Sequence, residues 1–292
     1  MRIAIFGRPF PAEYFSHFQL MLERLDAAGC SLLIYKPFLD EIRERITYQG
    51  KLDSFSTHLE LKQAVQFLIS IGGDGTLLDT ITLVRDSGIP IVGINMGRLG
   101  FLSTTSRQDI TRAFDELLAG NFELDRRSLI RLDSHRGHFG EVNYALNEVT
   151  IYKAVPNSMI SVQTWVDGQF LNTYWADGLI VATPTGSTAY SLSCGGPIIV
   201  PGCENFVITP IASHNLTVRP VVIPDASEIR IQVDARGMAY TVSLDSRMLT
   251  LSGDAALTLR RAGFYISLVR LPQRSFFQNI REKLSWGLDK RN

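Results

Sequence analysis

The stretch Ile69-Ser70-Ile71-Gly72-Gly73-Asp74-Gly75-Thr76 constrains the fold more than any other: an apolar run of strand character, three glycines, then a segment of helical character. A strand that delivers a glycine loop to a helix is one step of a parallel α/β sheet, and such sheets bind ligands beyond the carboxyl ends of their strands. Glycines at that junction let main-chain N–H groups approach a ligand closely, and the following helix presents its positive end to an anion. Asp74 is the unusual member. A carboxylate repels phosphate unless it accepts a proton from a hydroxyl or holds a metal ion. Read in isolation, the Gly-Asp-Gly run is also a tight turn.

The alternation extends to both sides of this loop. Met1 to Gly7 reads as a first buried strand, Phe15, Phe18, Leu22 and Leu25 recur at helical spacing before Gly29, and Ser31 to Tyr35 reads as a second strand. Val65 to Ile71 delivers the glycine loop, Thr76 to Arg85 is helical with a stop at Gly88, and Ile89 to Ile94 runs into Asn95-Met96-Gly97-Arg98-Leu99-Gly100. Ile110, Phe114, Leu117 and Leu118 mark another helix, closed by Gly120. The charged and polar stretch 40–61 is assigned no role.

From about Ser128 to Arg270 the period changes to strand and turn. Asp167-Gly168 is a strong hairpin signal, Ile229, Ile231 and Val233 alternate with polar residues, and so do Tyr240, Val242 and Leu244. Turns are expected at Ala235-Arg236-Gly237, Gly253-Asp254 and Ala262-Gly263. Ser275 can cap a helix in which Phe277, Ile280 and Leu284 share a face. The expected architecture is an α/β domain with a Rossmann-like parallel sheet over residues 1–124, then an all-β sandwich over 125–271. A C-terminal helix within 272–292 returns to the first domain.

Composition narrows the partners. Lys plus Arg equal Asp plus Glu at 29 each in 292 residues, so no overall charge draws the chain to nucleic acid or an anionic membrane, and an anionic ligand must be captured locally. The first apolar run is too short for a signal peptide, and no run approaches membrane-spanning length. Cys30, Cys194 and Cys203 form no paired framework, which fits a reducing compartment and a cytoplasmic protein. His135 and His138 have a spacing that could share a metal, but their neighbours Arg136, Gly137 and Gly140 read as a turn.

Three constellations could carry chemistry. The glycine loop is neither G-x-x-x-x-G-K-[ST] nor G-x-G-x-x-G, which argues against P-loop hydrolysis and against hydride transfer. Asn147-Glu148 places an amide beside a carboxylate in a strand-like run, where one of the two faces inward and needs a partner; an exposed Glu beside a turn-facing Asn fits the same residues. The block Ala176 to Ser193 opens a buried strand into a Pro/Gly turn dense with hydroxyls, then Tyr190 and Gly195-Gly196-Pro197. Hydroxyls and free N–H groups suit the edges of a base and a ribose, and a tyrosine offers a stacking face, although a Ser/Thr-rich turn with Tyr190 in the core fits too. Asp245-Ser246 lies between two β segments and also reads as a hairpin tip.

Together these segments resemble the NAD kinase family: Gly72-Gly73-Asp74-Gly75-Thr76, the Asn147-Glu148 pair and the Asp177 to Ser193 block with Gly195-Gly196 occur in the same order. Glycine-Asp-glycine is shared with lipid kinases and phosphofructokinases, whereas Thr183 to Tyr190 is far more specific. The resemblance implies phosphorylation of the 2′-hydroxyl of the adenosine ribose of NAD by ATP, a divalent metal such as Mg²⁺ with ligands unassigned, and a homodimer or homotetramer. By position, Asp74 is similar to the general base, and Gly73, Gly75 and Thr76 to the phosphate-contacting loop. Glu148 is similar to the ribose-diol ligand and Asn147 to an adenine contact. Asp177, Thr185, Thr188, Ala189, Tyr190 and Ser193 match the NAD-binding block, and Asp245 a further acid near the site. A lipid kinase of the same superfamily and a non-catalytic NAD(P)-binding sensor are the alternatives.

Overall fold

A computed structural model describes residues 1–62, 65–97, 100–134, 137–156, 158–253, 255–272 and 275–286. Arg98 and Leu99, His135 and Arg136, and Asp254 of the expected Gly253-Asp254 turn lie outside the described residues. The chain forms two compact units, Met1–Arg126 with Ile266–Asn292 (unit 1) and Arg127–Tyr265 (unit 2).

Unit 1 contains β1 (Arg2–Gly7), α1 (Phe15–Ala27), β2 (Ser31–Tyr35), α2 (Lys36–Ile42), β3 (Leu52–Phe55), α3 (His58–Leu61), β4 (Phe67–Ile71), α4 (Asp74–Val84), β5 (Ile91–Asn95), β6 (Thr105–Ser106) and α5 (Ile110–Ala119). Its strands pair in the order β3-β2-β1-β4-β5, all parallel. One sheet face, through Ile3, Ile5, Ile69, Ile71, Val92 and Ile94, shares a core with Phe18, Met21, Leu22 and Leu25 of α1 and Ile110, Phe114 and Leu117 of α5. These are the residues whose helical spacing marked α1 and α5, because burying one stripe is what stabilises such helices. The buried residues of α4 include Leu77, Thr80 and Ile81, and the Thr80 hydroxyl donates to Ser70 Oγ of β4 at 2.9 Å.

The chain continues with β7 (Glu123–Ser134), β8 (Tyr144–Ala145), β9 (Glu148–Lys153), β10 (Ile160–Val166), β11 (Gln169–Ala176), β12 (Gly178–Ala182), α6 (Tyr190–Ser193), β13 (Asn205–Ile211), β14 (Val221–Pro224), β15 (Ile229–Asp234), β16 (Ala239–Leu244), β17 (Arg247–Ser252), β18 (Ala255–Arg270) and α7 (Phe276–Leu284). In unit 2, β11, β10, β15 and β18 pair antiparallel in that order, and β14-β13-β12-β9-β16-β17 form a second antiparallel sheet. Both sheets contribute to one core, with Val162, Ile231 and Leu257 from the first and Val149, Leu179, Phe206 and Val242 from the second. This is a β-sandwich, and period-two alternation supplies its inner faces. Among the described residues no helix is long and apolar enough to cross a membrane.

Three local expectations need correction, and one unassigned stretch gains a structure. The stretch 40–61, assigned no role from the sequence, contains β3, a parallel edge strand on β2 whose four residues, half of them polar, hide its pairing. Helix α4 starts at Asp74 rather than Thr76, so the acid sits in the first helical turn, where the helix dipole favours a negative charge. Ala262-Gly263 is no turn: β18 runs straight through, because a lone glycine in an alternating run, here with no φ in the left-handed region, does not force a reversal. In α7, capped by Ser275 Oγ accepting the Gln278 N–H at 3.1 Å, Ile280 is buried but Phe277 is 58% exposed. A first-turn side chain leans toward the helix N-terminus, and Phe277 lies against Phe276.

Phe114 is fully enclosed between α1 and the sheet, so Phe114→Ala is expected to destabilise unit 1 by about 3–5 kcal/mol. Thermal unfolding followed by circular dichroism checks this; an unchanged midpoint would contradict the packing.

Candidate functional site

In unit 1 the candidate residues lie where β4 passes into α4. Gly72 turns the chain with φ +151°, and a side chain there would meet Thr76 Oγ1 at 2.3 Å. Gly73 is the N-cap of α4; beside Gly73 and Gly75 an added Cβ would meet nothing within 4 Å. The N–H groups of Gly73 and Gly75 are therefore open to an anion, whereas that of Thr76 donates to the Gly73 carbonyl at 3.1 Å. The Asp74 side chain has a separate engagement. Its Oδ2 accepts the Phe101 N–H at 2.7 Å, and its Oδ1 accepts those of Leu102 and Ser103 at 3.0 and 2.9 Å. Gly100 is required by the same contact, since a Cβ there would stand 1.7 Å from Asp74 Oδ1. An ionised carboxylate has about four acceptor positions, so one on Oδ2 stays open.

In unit 2 the short connection from β8 to β9 carries Asn147, and Glu148 opens β9. The strand-like run of the sequence breaks here, and its main-chain groups find partners on two sides. Asp245, in the β16–β17 turn, accepts the N–H groups of Leu146, Asn147 and Glu148 at 2.8, 2.8 and 3.2 Å. Thr183, just past β12, donates its hydroxyl to the Leu146 carbonyl at 2.5 Å and its N–H to that of Asn147 at 2.9 Å. Gly186 lies against this segment so closely that a Cβ would fall 2.1 Å from the Asn147 carbonyl oxygen. With the main chain satisfied, two side-chain atoms are left over: Asn147 Oδ1 and Glu148 Oε2 are buried without a hydrogen-bond partner. Buried polar atoms in that condition are rare and point to an absent ligand.

The hydroxyl-rich block wraps the same region. Thr185 is buried and accepts a hydrogen bond from the buried Arg127 guanidinium at 3.1 Å, and the Thr188 hydroxyl donates to the Thr185 carbonyl at 3.2 Å. Ala189 joins this turn to α6, where Tyr190 is 41% exposed, so the core reading of that tyrosine is overturned, and Ser193 is exposed. The Tyr190 phenol is held above its ordinary range by partial burial and then by Cys194, Tyr152 and Asp177, and α6 packs against β12. Asp177 precedes β12, at the opposite end from Thr185, and pairs with Lys153 at 2.7 Å. Thr183, Arg127, Lys153 and Arg247 belong to this constellation without having been singled out in the sequence. Only Thr183, inside the hydroxyl-rich run, carried a local signal.

Burial, and then the neighbouring Asp245, pushes the Glu148 carboxyl from 4.5 up to about 8. Burial also raises Asp245, opposed by its three N–H donors and by Arg247. The folded chain therefore binds more protons at Glu148 than the unfolded chain does between these two values, and stability falls as pH rises through that window. The penalty is absent below 4.5 and complete above 8. Glu148→Gln is accordingly expected to raise the melting temperature above pH 8, with the gain vanishing below pH 4.5; a gain independent of pH in thermal melts would contradict it.

Among the described residues no group of three or more His, Cys, Asp or Glu side chains is arranged to hold a metal ion. Asp74 and Asp245, each engaged by three N–H groups, do not fit a resident divalent cation.

Comparison with known proteins agrees with this geometry. Residues 43–122 match the model of the ATP-NAD kinase N-terminal domain, and residues 146–271 that of the ATP-NAD kinase C-terminal domain. The NAD kinase of Cytophaga hutchinsonii is 44% identical over 293 residues, covering 100% of both chains. An NAD kinase from Archaeoglobus fulgidus, crystallised with ATP, superposes with a TM-score of 0.75 at 25% identity over 98% of this chain and 99% of that one. Yeast NADH kinase, crystallised with NADH, shares the fold with a TM-score of 0.87 at 22% identity, over 99% of this chain and 88% of that one. Two domain models in chain order and 44% identity to a named relative over the full length lead to one assignment: the chain belongs to the NAD kinase family.

Proposed function

We propose that this chain transfers the γ-phosphoryl group of ATP to the 2′-hydroxyl of the adenosine ribose of NAD, making NADP. The observation that carries the reading is the buried, unpartnered pair Asn147 Oδ1 and Glu148 Oε2, held beside a turn dense with hydroxyls. A glutamic acid that is mostly protonated at neutral pH both donates and accepts, which suits a vicinal diol, and the Asn147 amide suits the edge of adenine. Asp177, Thr185, Thr188, Ala189, Tyr190 and Ser193 complete the NAD contacts in this reading, with Asp245 behind them.

A ribose hydroxyl is a poor nucleophile, so the reaction needs a base at the hydroxyl and stabilisation of the phosphates. Asp74 is the proposed base. Its three N–H donors fix its orientation and leave one acceptor position on Oδ2. The 2′-hydroxyl proton passes to Asp74 as the 2′-oxygen bonds to the γ-phosphorus; the bond from phosphorus to the β–γ bridging oxygen breaks, and ADP leaves. Gly73, Gly75 and Thr76 are the proposed phosphate contacts, the two glycines through their N–H groups. Mg²⁺ is proposed as a companion of the ATP phosphates rather than a resident of the protein. The working form is proposed to be a cytoplasmic homodimer or homotetramer.

Incubation with labelled ATP and either NAD or a diacylglycerol should place label on NAD alone. Label in the lipid, or saturable NAD binding without conversion, would overturn the reading. Asp74→Asn should lower kcat by about 10²–10⁴-fold while NAD still binds. Near-normal turnover of this variant would remove Asp74 from the role of base.

A further inference from the structure

The turn joining β16 to β17 grips the segment that carries Asn147 and Glu148 through both polarities of its main chain. Asp245 collects the N–H groups of Leu146, Asn147 and Glu148, and its own N–H donates to the Glu148 carbonyl at 3.1 Å. Two residues on, the Arg247 guanidinium donates from Nη1 to the Val142 carbonyl and from Nη2 to that of Tyr144. It also lies 5.9 Å from the centre of the Tyr144 ring, which packs edge-on against Phe264 at 4.9 Å. The acid and the base of one turn thus hold the donors and the acceptors of residues 142–148.

A hairpin by itself needs neither group. The β16–β17 ladder is already in register to Leu244 opposite Arg247, and a positive φ between them suits glycine or asparagine at least as well as aspartate. Asp245 nevertheless sits there with φ +52°, beside another carboxyl. Burying a carboxylate is unfavourable unless it is hydrogen-bonded, and the three N–H groups supply that compensation. They occupy three of its roughly four acceptor positions, as at Asp74.

We propose that Asp245 and Arg247 are positioning residues for NAD: the turn sets the main chain under Asn147 and Glu148, and neither side chain is itself a substrate ligand. This rests on the assignment of Asn147 and Glu148 to the NAD ribose and adenine. It reassigns Asp245, which the sequence resemblance placed among the binding residues, from contact with the substrate to support of those that make contact. The two prongs divide the work. Asp245 fixes the direction of three successive N–H groups, and Arg247 anchors the start of the same segment.

The test uses the full-length wild type, Asp245→Asn and Arg247→Lys, the second a conservative change that keeps the charge but cannot fork between two carbonyls. KM for NAD should rise about tenfold or more in each, the size of one or more lost charge-assisted hydrogen bonds, while KM for ATP stays at the wild-type value. In Asp245→Asn the pH at which KM for NAD changes should move down, because the negative charge that helps to raise Glu148 is gone; in Arg247→Lys it should not move down. Amide hydrogen exchange across residues 146–148 should quicken in Asp245→Asn without nucleotide. Unchanged KM for NAD with unchanged exchange would overturn the proposal. So would a fall in kcat with both KM values unchanged, which would put Asp245 in the chemical step. A wild type that fails to phosphorylate NAD would instead sink the proposed function, and the exchange comparison would still decide whether the turn grips this segment.

Discussion

One device organises each unit: an aspartate whose carboxylate gathers three consecutive main-chain N–H groups from a segment remote in sequence. Asp74 collects those of residues 101–103, 27 to 29 positions ahead, and Asp245 those of residues 146–148, 97 to 99 positions behind. Consecutive N–H groups that converge on one point cannot be satisfied by a sheet ladder, which spaces its partners along a strand. An anion can satisfy them, and such bonds are stronger than neutral ones. Where these segments leave regular structure, their donors have these acceptors.

The arrangement dictates steric requirements elsewhere. Gly100 leaves room for the Asp74 carboxylate, and Gly186 for the carbonyl of Asn147. Neither glycine is explained by a turn of its own, since neither has φ in the left-handed region. Each is instead the absence of a side chain where a polar group from another part of the chain must pass. Satisfying the main chain so completely also isolates the side chains it carries. Glu148 and Asn147 are left with buried oxygens that no protein group meets, and the Glu148 carboxyl holds its proton because water is excluded and Asp245 is near. The unmet oxygens of this pair and the raised pKa of Glu148 have the same origin.

Much of the architecture was legible because it rests on local period. Helical spacing at Phe18, Leu22 and Leu25 and alternation at Ile229, Ile231 and Val233 identify the faces that are buried. The glycine loop was legible for the same reason, since the conformation Gly72 adopts is a property of that residue. Where local signals were weak or misleading, the reading missed. The strand Leu52–Phe55 is held by pairing with β2 rather than by its own pattern, and Gly263 continues a strand whose neighbours are already paired.

The sequence by itself thus determined the α/β-then-β class and the positions of the glycine loop, the Asn147-Glu148 pair and the hydroxyl-rich block, because period and backbone freedom are properties of adjacent residues. Only the tertiary structure decided that Asp74 holds the segment after Gly100, that Asp245 and Arg247 hydrogen-bond the main chain around the polar pair, and that burial pushes the Glu148 carboxyl up to about 8. Hydrogen-bond partners dozens of residues apart and the exclusion of water exist only once the chain has closed on itself.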